Sequence, residues 1–414
     1  MTAIALGPVM IARVLVPFAV GYFLSYAFRA INAIIAADLS ADTGLDAGAL
    51  GLVTSAYFFT FAAFQLPLGV LLDRFGPRRV ESVLLLVAAL GALLFALGES
   101  AAWLAFARAC IGLGVSGCLM ASFKAFVMWF PGERLPLVNG CIMTAGALGA
   151  LSVTTPTQWL LGYLGWREIF VALAVVTVLA AALIFFVVPR HPDEVKTRAP
   201  GLRQQLEGVA AVYRNPFFWR IVPMVTATHA GFLAFQSLWA GPWLRDVDGL
   251  AGQPLANHLL AMATAMVVGY FTLGLVMERV GRFGLRAASV PIVGMGGFML
   301  VQLAILAGLP VPSLWLWSAF GLFGTSTILW YALLSQRVAP EIAGRANTGM
   351  NVIAFGGAFA AQWGIGAIIG LWPGETAGSY ALAGYRAGLG TSLALQAVGF
   401  VWLLAPRRDP AARL

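Results

Sequence analysis

Twelve apolar stretches, each near or above the ~20 residues that a bilayer core demands of a helix, follow one another along this chain. They fall at about 10–34, 48–72, 80–98, 101–129, 135–162 and 168–188, and after a polar connection at 217–243, 254–278, 286–307, 312–337, 345–371 and 385–405. A backbone in lipid finds no water to bond to, so spans of this length must close their own hydrogen bonds as α-helices. The expected fold class is an all-α membrane protein crossing twelve times. Composition excludes a soluble globule: 60% of the 414 residues are hydrophobic, 10% are charged, and the mean hydropathy is +0.88.

Between the second and third stretches lies Gly69-Val-Leu-Leu-Asp73-Arg74-Phe-Gly76-Pro-Arg78-Arg79. Gly76-Pro77 forces a tight reversal, and a short basic turn between long apolar helices reads as a cytoplasmic hairpin. Glu278-Arg279-Val280-Gly281 follows Asp73-Arg74-Phe75-Gly76 at an offset of 205 residues. Pro17 and Pro223 are offset by 206, and Gln158-Trp159 and Gln362-Trp363 by 204. Three correspondences near one spacing indicate a duplicated chain. The expected domains are a six-helix bundle at 1–188, a cytoplasmic linker at 189–216 and a second six-helix bundle at 217–414. Leu202 to Tyr213 could form an amphipathic helix at the membrane surface.

Basic residues settle the expected orientation. They crowd the hairpins, the linker and the C-terminal tail, while the opposite loops hold Arg167, Arg245 and Arg386. Both termini are therefore expected in the cytoplasm of a bacterium, with the chain in the inner membrane. The formal charge of +8 is then a topology signal and a match to anionic lipid heads, with no nucleic-acid partner. The N-terminus lacks the basic n-region of a cleavable signal.

G-x-L-x-D-R-x-G-x-R-R, matched at Gly69, Leu71, Asp73, Arg74, Gly76, Arg78 and Arg79, resembles the loop 2–3 signature of the major facilitator superfamily. The fourth span carries a second pattern of that superfamily, R-x-x-x-G-x-G, at Arg108, Gly112 and Gly114. The resemblance implies two pseudo-symmetric six-helix bundles and transport by alternating access. It also implies that the hairpin around Asp73 and its counterpart at Glu278-Arg279 steady the packing that changes during gating. Arg108 would hold the helix interior or assist proton movement, as in antiporters.

Three basic residues fall inside the spans: Arg29, Arg108 and Lys124. A charge at that depth costs about 2.5–3.5 kcal/mol or more and calls for water, a partner or a ligand. Around Arg29, the residues Tyr22, Ser25, Tyr26 and Asn32 occur at helical spacing, so one face gathers a polar stripe. Such a guanidinium either binds an anionic group through two parallel hydrogen bonds or pairs with a carboxylate such as Asp38. The arrangement is similar to the superfamily's organophosphate and organic-anion porters, where a span 1 Arg contacts the solute. Those porters usually add an Arg in span 7, and span 7 is read here as having none, which weakens a phosphate substrate. Lys124 either snorkels to the interface or joins the cavity.

Span 7 offers Thr226, His229 and Gln236 on one face, and Trp239 and Trp243 continue towards the outer interface, where Trp ordinarily anchors; Trp239 either anchors there or joins His229 and Gln236 in the wall of the substrate cavity. His229 is either a satisfied structural residue or a proton carrier. Gln65, Gln158, Trp330, Tyr331, Asn351 and Gln362 either line the same pocket or make interhelical hydrogen bonds of about 0.6 kcal/mol each. No carboxylate is read in the middle of a span. Asp38, Asp42, Asp46, Asp73, Glu168 and Glu278 sit at span ends, so coupling to a proton or to an exchanged anion stays open.

No enzyme constellation is present. His191, His229 and His258 lack Cys or carboxylate neighbours at metal-ligand spacing, and Cys110, Cys118 and Cys141 lie inside spans as small apolar residues. No catalytic residue, metal or cofactor is expected. The expected function is secondary transport of a small organic anion by a monomer, with Arg29 as its main electrostatic contact. A drug or metabolite exporter is the alternative, and a transporter-like solute sensor a more distant one.

Overall fold

The computed structural model describes residues 8–131, 134–190, 207, 210–282, 286–338, 340–375 and 378–406. Most of the expected linker, including His191 and the first part of the Leu202–Tyr213 stretch, lies outside the described residues. In chain order come α1 (Pro8–Ala30), α2 (Asn32–Thr43), α3 (Ala47–Phe75), α4 (Pro77–Ala96), α5 (Ala101–Val115), α6 (Cys118–Trp129), α7 (Leu135–Ser152), α8 (Thr155–Leu161) and α9 (Trp166–Val187). Next, α10 (Pro216–Ala234) runs through a π-helical turn, Phe235–Trp239, into α11 (Ala240–Asp246). Then follow α12 (Gly252–Arg282), α13 (Ser289–Ala307), α14 (Ser313–Gly324), a 3-10 turn at Thr325–Thr327, α15 (Ile328–Gln336), α16 (Pro340–Ile369) and α17 (Leu382–Leu404).

Twelve of these helices, or consecutive helices joined through a break, are long and apolar enough to cross a membrane. The first span is shorter than the expected 10–34: α1 stops at Ala30, and Ile31 separates it from α2. Asn32 therefore opens a new helix and does not continue the stripe that carries Arg29. Span 4 breaks at Ser116-Gly117 and span 5 at Val153-Thr154, after which Pro156 takes a first-turn position that tolerates its missing N–H. The hairpin turns as its sequence suggests. Gly76, at φ +78°, precedes Pro77 at the start of α4, a backbone conformation open to glycine and costly for other residues.

The chain packs as two compact units: Met1–Ile31 with Ala56–Gln205, and Asn32–Ser55 with Leu206–Leu414. The second unit thus includes α2 and the start of α3, which the 1–188 boundary assigns to the first bundle. Inside that unit the Gln362 side-chain amide donates to Thr54 Oγ1 at 2.6 Å, and Trp239 Nε1 donates to the Gln362 carbonyl at 3.1 Å. These bonds hold the start of α3 against α16 and the π-helical turn.

Within the first unit, close packing depends on the glycines of the Arg108 pattern. A Cβ on Gly112 would sit 2.1 Å from the Tyr57 carbonyl oxygen, and one on Gly114 would sit 2.3 Å from the Ala88 nitrogen. Both distances are impossible, so these two glycines bring α5 onto α3 and α4. Large apolar side chains remain exposed on both units, among them Leu179 and Phe186 on the first and Val293 and Val401 on the second. An apolar surface this extensive suits hydrocarbon and not water.

Candidate functional site

Most of the buried charged side chains belong to the first unit. Arg29 lies in the last turn of α1 and is 6% exposed. Its guanidinium carbon stands 4.6 Å from the centre of the Tyr26 ring and 5.6 Å from that of Phe61. Tyr57 and Tyr22 also act on it electrostatically. Tyr22 and Tyr26 meet edge to face at 5.1 Å, and the Tyr57 hydroxyl donates to the Ser25 carbonyl at 3.3 Å. Three tyrosines and a phenylalanine thus surround the cation, and ring faces attract it through their quadrupoles. The Tyr57 side chain also hydrogen-bonds to the guanidinium, and a guanidinium is a group that can take a carboxylate, sulfonate or phosphate by parallel hydrogen bonds.

The charged group acting on Asp38 is Arg245, which lowers its carboxyl against the larger opposing effect of burial. Gln65 turns its amide to the backbone, donating to the carbonyls of Phe61 at 3.2 Å and Ser116 at 3.4 Å. It therefore supports the α5–α6 break. Gln158 is half-buried in α8.

Lys124 is engaged at the hairpin. Its Nζ forms an ion pair with Asp73, joining α6 to the hairpin end of α3. Arg108 is 1% exposed, donates to the Phe28 carbonyl at 3.1 Å and stands over the Tyr57 ring at 5.2 Å. Around the hairpin, Arg78 is buried over Phe185 with Nη1 reaching the Val188 carbonyl at 3.5 Å, while Arg74 and Arg79 are exposed. Gly69 is half-buried in α3.

One buried ionisable residue escaped the sequence reading altogether. Glu81 is fully buried in α4. The helix begins at Pro77 and not near residue 80, which carries Glu81 a full turn inside.

The second unit gathers neutral polar groups. His229, half-buried in α10, approaches Thr327 Oγ1 with Nδ1 at 3.5 Å and meets Phe355 edge-on. Gln236 and Asn32 are buried, the amide atoms of Asn32 without a hydrogen-bond partner. Trp239 is fully buried, so it belongs to the packed interior and is not an interfacial anchor. Its position in the π-helical turn explains this, because the wider turn rotates the residues that follow. Gln362 is spent on a network with Ser237 at 2.8 Å and with Thr54. Trp330 donates to Met295 Sδ inside an apolar cluster, with Tyr331 packed on its edge. Asn351 is half-buried in α16. Arg279 is exposed, and the side chain of Glu278 lies outside the described residues.

Span 7 does contain an arginine. Arg220 is buried near the start of α10, where it donates to the carbonyls of Leu403 at 3.0 Å and Ala405 at 3.3 Å. It therefore closes the C-terminal end of α17, where cations suit the helix dipole.

The family model described as Major Facilitator Superfamily matches residues 18–362. The chain belongs to this superfamily. Membership makes it a multi-pass, non-enzymatic transport protein. Among superfamily relatives it is 26% identical over 361 residues to a protein of Cupriavidus necator named "Probable sulfoacetate transporter", covering 80% of this chain and 82% of that one. It is 27% identical over 168 residues to a "Probable galactarate/D-glucarate transporter" of Bacillus subtilis, covering 39% of this chain and 36% of that one. A crystal structure of a bacterial homolog of the human lysosomal transporter Spinster shares the fold, with TM-score 0.78 at 17% identity and 96% of each chain covered.

Proposed function

We propose that this chain is a secondary active transporter that moves a small organic anion across the bacterial inner membrane by alternating access, with Arg29 as the main electrostatic contact. The carrying observation is the guanidinium of Arg29, buried at the end of a spanning helix among Tyr22, Tyr26, Tyr57 and Phe61. The rings of Tyr26 and Phe61 stand against the cation, and an anionic oxygen pair is the kind of group a guanidinium recognises. The names of two relatives refer to anionic solutes, which supports the same reading. On this reading six-helix bundles at 1–188 and 217–414 work around the solute, the linker 189–216 and both termini are cytoplasmic, and the transporter acts as a monomer. Tyr22 and Tyr26 flank the anion. His229, Gln236 and Asn351 are neutral polar candidates for the solute. Lys124 and Gln362, engaged elsewhere, are not assigned to the solute.

The test is uptake of labelled sulfoacetate and D-glucarate by proteoliposomes. Arg29→Ala removes a charge-assisted contact of about 1.5–3 kcal/mol, so affinity falls roughly ten- to hundredfold. Arg29→Lys keeps the charge, loses the planar fork and lies between. Wild-type affinity in Arg29→Ala refutes the assignment. Efflux of a cationic drug that is indifferent to Arg29 supports the exporter in its place.

A further inference from the structure

We propose that Glu81 is a proton-binding site in the interior of the first unit, and that its proton travels with the anion. The proposal rests on the transport reading. Three observations carry it. Glu81 is 0% exposed inside a membrane-spanning helix, and neither carboxyl oxygen accepts a hydrogen bond of ordinary geometry. Glycines of two other segments make room for the group: a Cβ on Gly21 would stand 3.1 Å from Oε1, and one on Gly117 would stand 2.9 Å from Oε2. Finally, the carboxyl lies beside the Ser116-Gly117 break of span 4 and next to Gly21, the neighbour of Tyr22, within the part of the unit that holds Arg29.

The groups facing Glu81 are few. Leu84 and Leu85 on its own helix, Ile184 on α9 and Leu68 on α3 supply hydrocarbon around the two glycines. The thiol of Cys118 on α6 is the titratable neighbour that interacts with it, and Arg29 of α1 acts on that thiol in turn. Farther off on the packed elements, Lys124 is engaged by Asp73, Arg78 points to Val188 and Phe185, and Arg108 points to Phe28. None of these interactions supplies a charged partner to Glu81.

A bare carboxylate in such surroundings lacks solvent and meets only the weak donor of the Cys118 thiol, whereas the neutral acid fits them. The site therefore favours holding a proton while closed and releasing it when water reaches it. Movement at the span 4 break is the device that would admit water. In the step, one proton leaves water on one side and forms the O–H bond of the Glu81 acid. That bond later breaks, and the proton enters water on the other side. The solute undergoes no bond change. A dianion such as sulfoacetate or D-glucarate moved with one proton carries one negative charge across, so the gradient test is run with the membrane potential held at zero.

The test joins a solute-free measurement to a transport measurement. In wild-type protein in detergent, the infrared carbonyl stretch of a protonated carboxylic acid should change with pH and be missing in Glu81→Gln. In proteoliposomes, an inward proton gradient of one pH unit should drive wild-type accumulation of sulfoacetate or D-glucarate up to about tenfold for one proton per anion. Glu81→Gln should lose that accumulation and keep exchange of labelled for unlabelled solute at equal pH. If Glu81→Gln does not fold, Glu81→Asp keeps a carboxyl, and the pH dependence of the band and of uptake should shift together. A band that ignores pH, or gradient-driven accumulation unchanged in Glu81→Gln, overturns the proposal. Should the wild type carry neither anion, the anion reading is in error, and the infrared titration alone upholds or overturns proton binding at Glu81.

Discussion

Among the described residues, the two units bury different chemistry. The first encloses Arg29, Arg78, Glu81 and Arg108 with the amide of Gln65, while the second encloses the amides of Asn32, Gln236, Gln302, Gln362 and Gln396 with the side chains of Arg220 and Asp246. The ions of the first unit are met by ring faces and backbone carbonyls. The amides of the second largely meet one another and hydroxyls, as in the reciprocal pair of Gln302 and Gln396 at 2.9 Å with Ser392 beside it. An ion in a span costs several times more than an amide that finds a partner. A chain that keeps most such ions in one half concentrates its electrostatic work there, and the other half can serve as a largely neutral wall and frame.

The largest expected effect tests whether those ions also support the fold. Arg108→Ala removes a fully buried side chain, its bond to the Phe28 carbonyl and its contact with Tyr57. A loss of about 2–4 kcal/mol is expected from the cavity and the lost bond, read as a lower melting temperature of purified protein. Arg29→Ala should melt near the wild type and lose solute affinity instead. If the two variants behave alike, the division of the first unit's ions into structural and solute-facing is mistaken.

A smaller effect concerns the hairpin. The Lys124–Asp73 pair leaves the two side chains 27% and 34% exposed, so its contribution to stability is at most about 1 kcal/mol. Asp73→Asn should slow transport about tenfold while changing half-saturation less than about twofold. The exchange Asp73→Lys with Lys124→Asp should recover part of the rate. A loss of affinity exceeding the loss of rate would place Asp73 at the solute.

The second unit's amides should behave differently. Gln302→Leu strands the Gln396 amide and should cost about 1 kcal/mol, whereas Gln302→Leu with Gln396→Leu should cost less than either single change. Thermal melting of the three variants decides this. A double variant as damaged as the sum of the singles would show that the pair is as indispensable as the first unit's ions.

The spans were legible because hydropathy acts locally, and the hairpin because Gly76-Pro77 dictates a turn. The breaks were harder. Ile31 carries no breaker in its sequence, and the π-helical turn at Phe235–Trp239 moved Trp239 from an expected interface into the interior. Tyr22 and Tyr26 could be placed beside Arg29 by helical spacing alone, but Tyr57 and Phe61 come from another helix, and one sequence cannot show that approach. The Lys124–Asp73 pair was hidden for the same reason. Glu81 was missed because a carboxylate at a span's edge is ordinarily interfacial, and a start three residues earlier than expected placed it inside.

The smallest effect lies at the loop end of the second unit, where an acid sits outside the spans and the comparison with Glu81 can be sharpened. Asp248 is half-buried between α11 and α12. Burial raises its carboxyl above the ordinary value, against smaller opposing effects of Ser313, His258 and Trp243. Its Oδ2 has no hydrogen-bond partner. A folded-state value above the unfolded one means that the folded protein holds the proton more tightly, so ionisation at neutral pH opposes folding slightly. Asp248→Asn removes that penalty and should stabilise by a few tenths of a kcal/mol after solvent screening. The gain should shrink as pH falls through the carboxylate range, because the wild-type acid then regains its own proton. Melting curves of the two proteins from neutral to mildly acidic pH give the sign directly. A variant less stable at neutral pH that converges on the wild type in acid would mean that Ser313 and His258 outweigh burial. Asp248 would then be held as an ion, and partial burial alone would not be enough to make an acid in this fold a proton carrier.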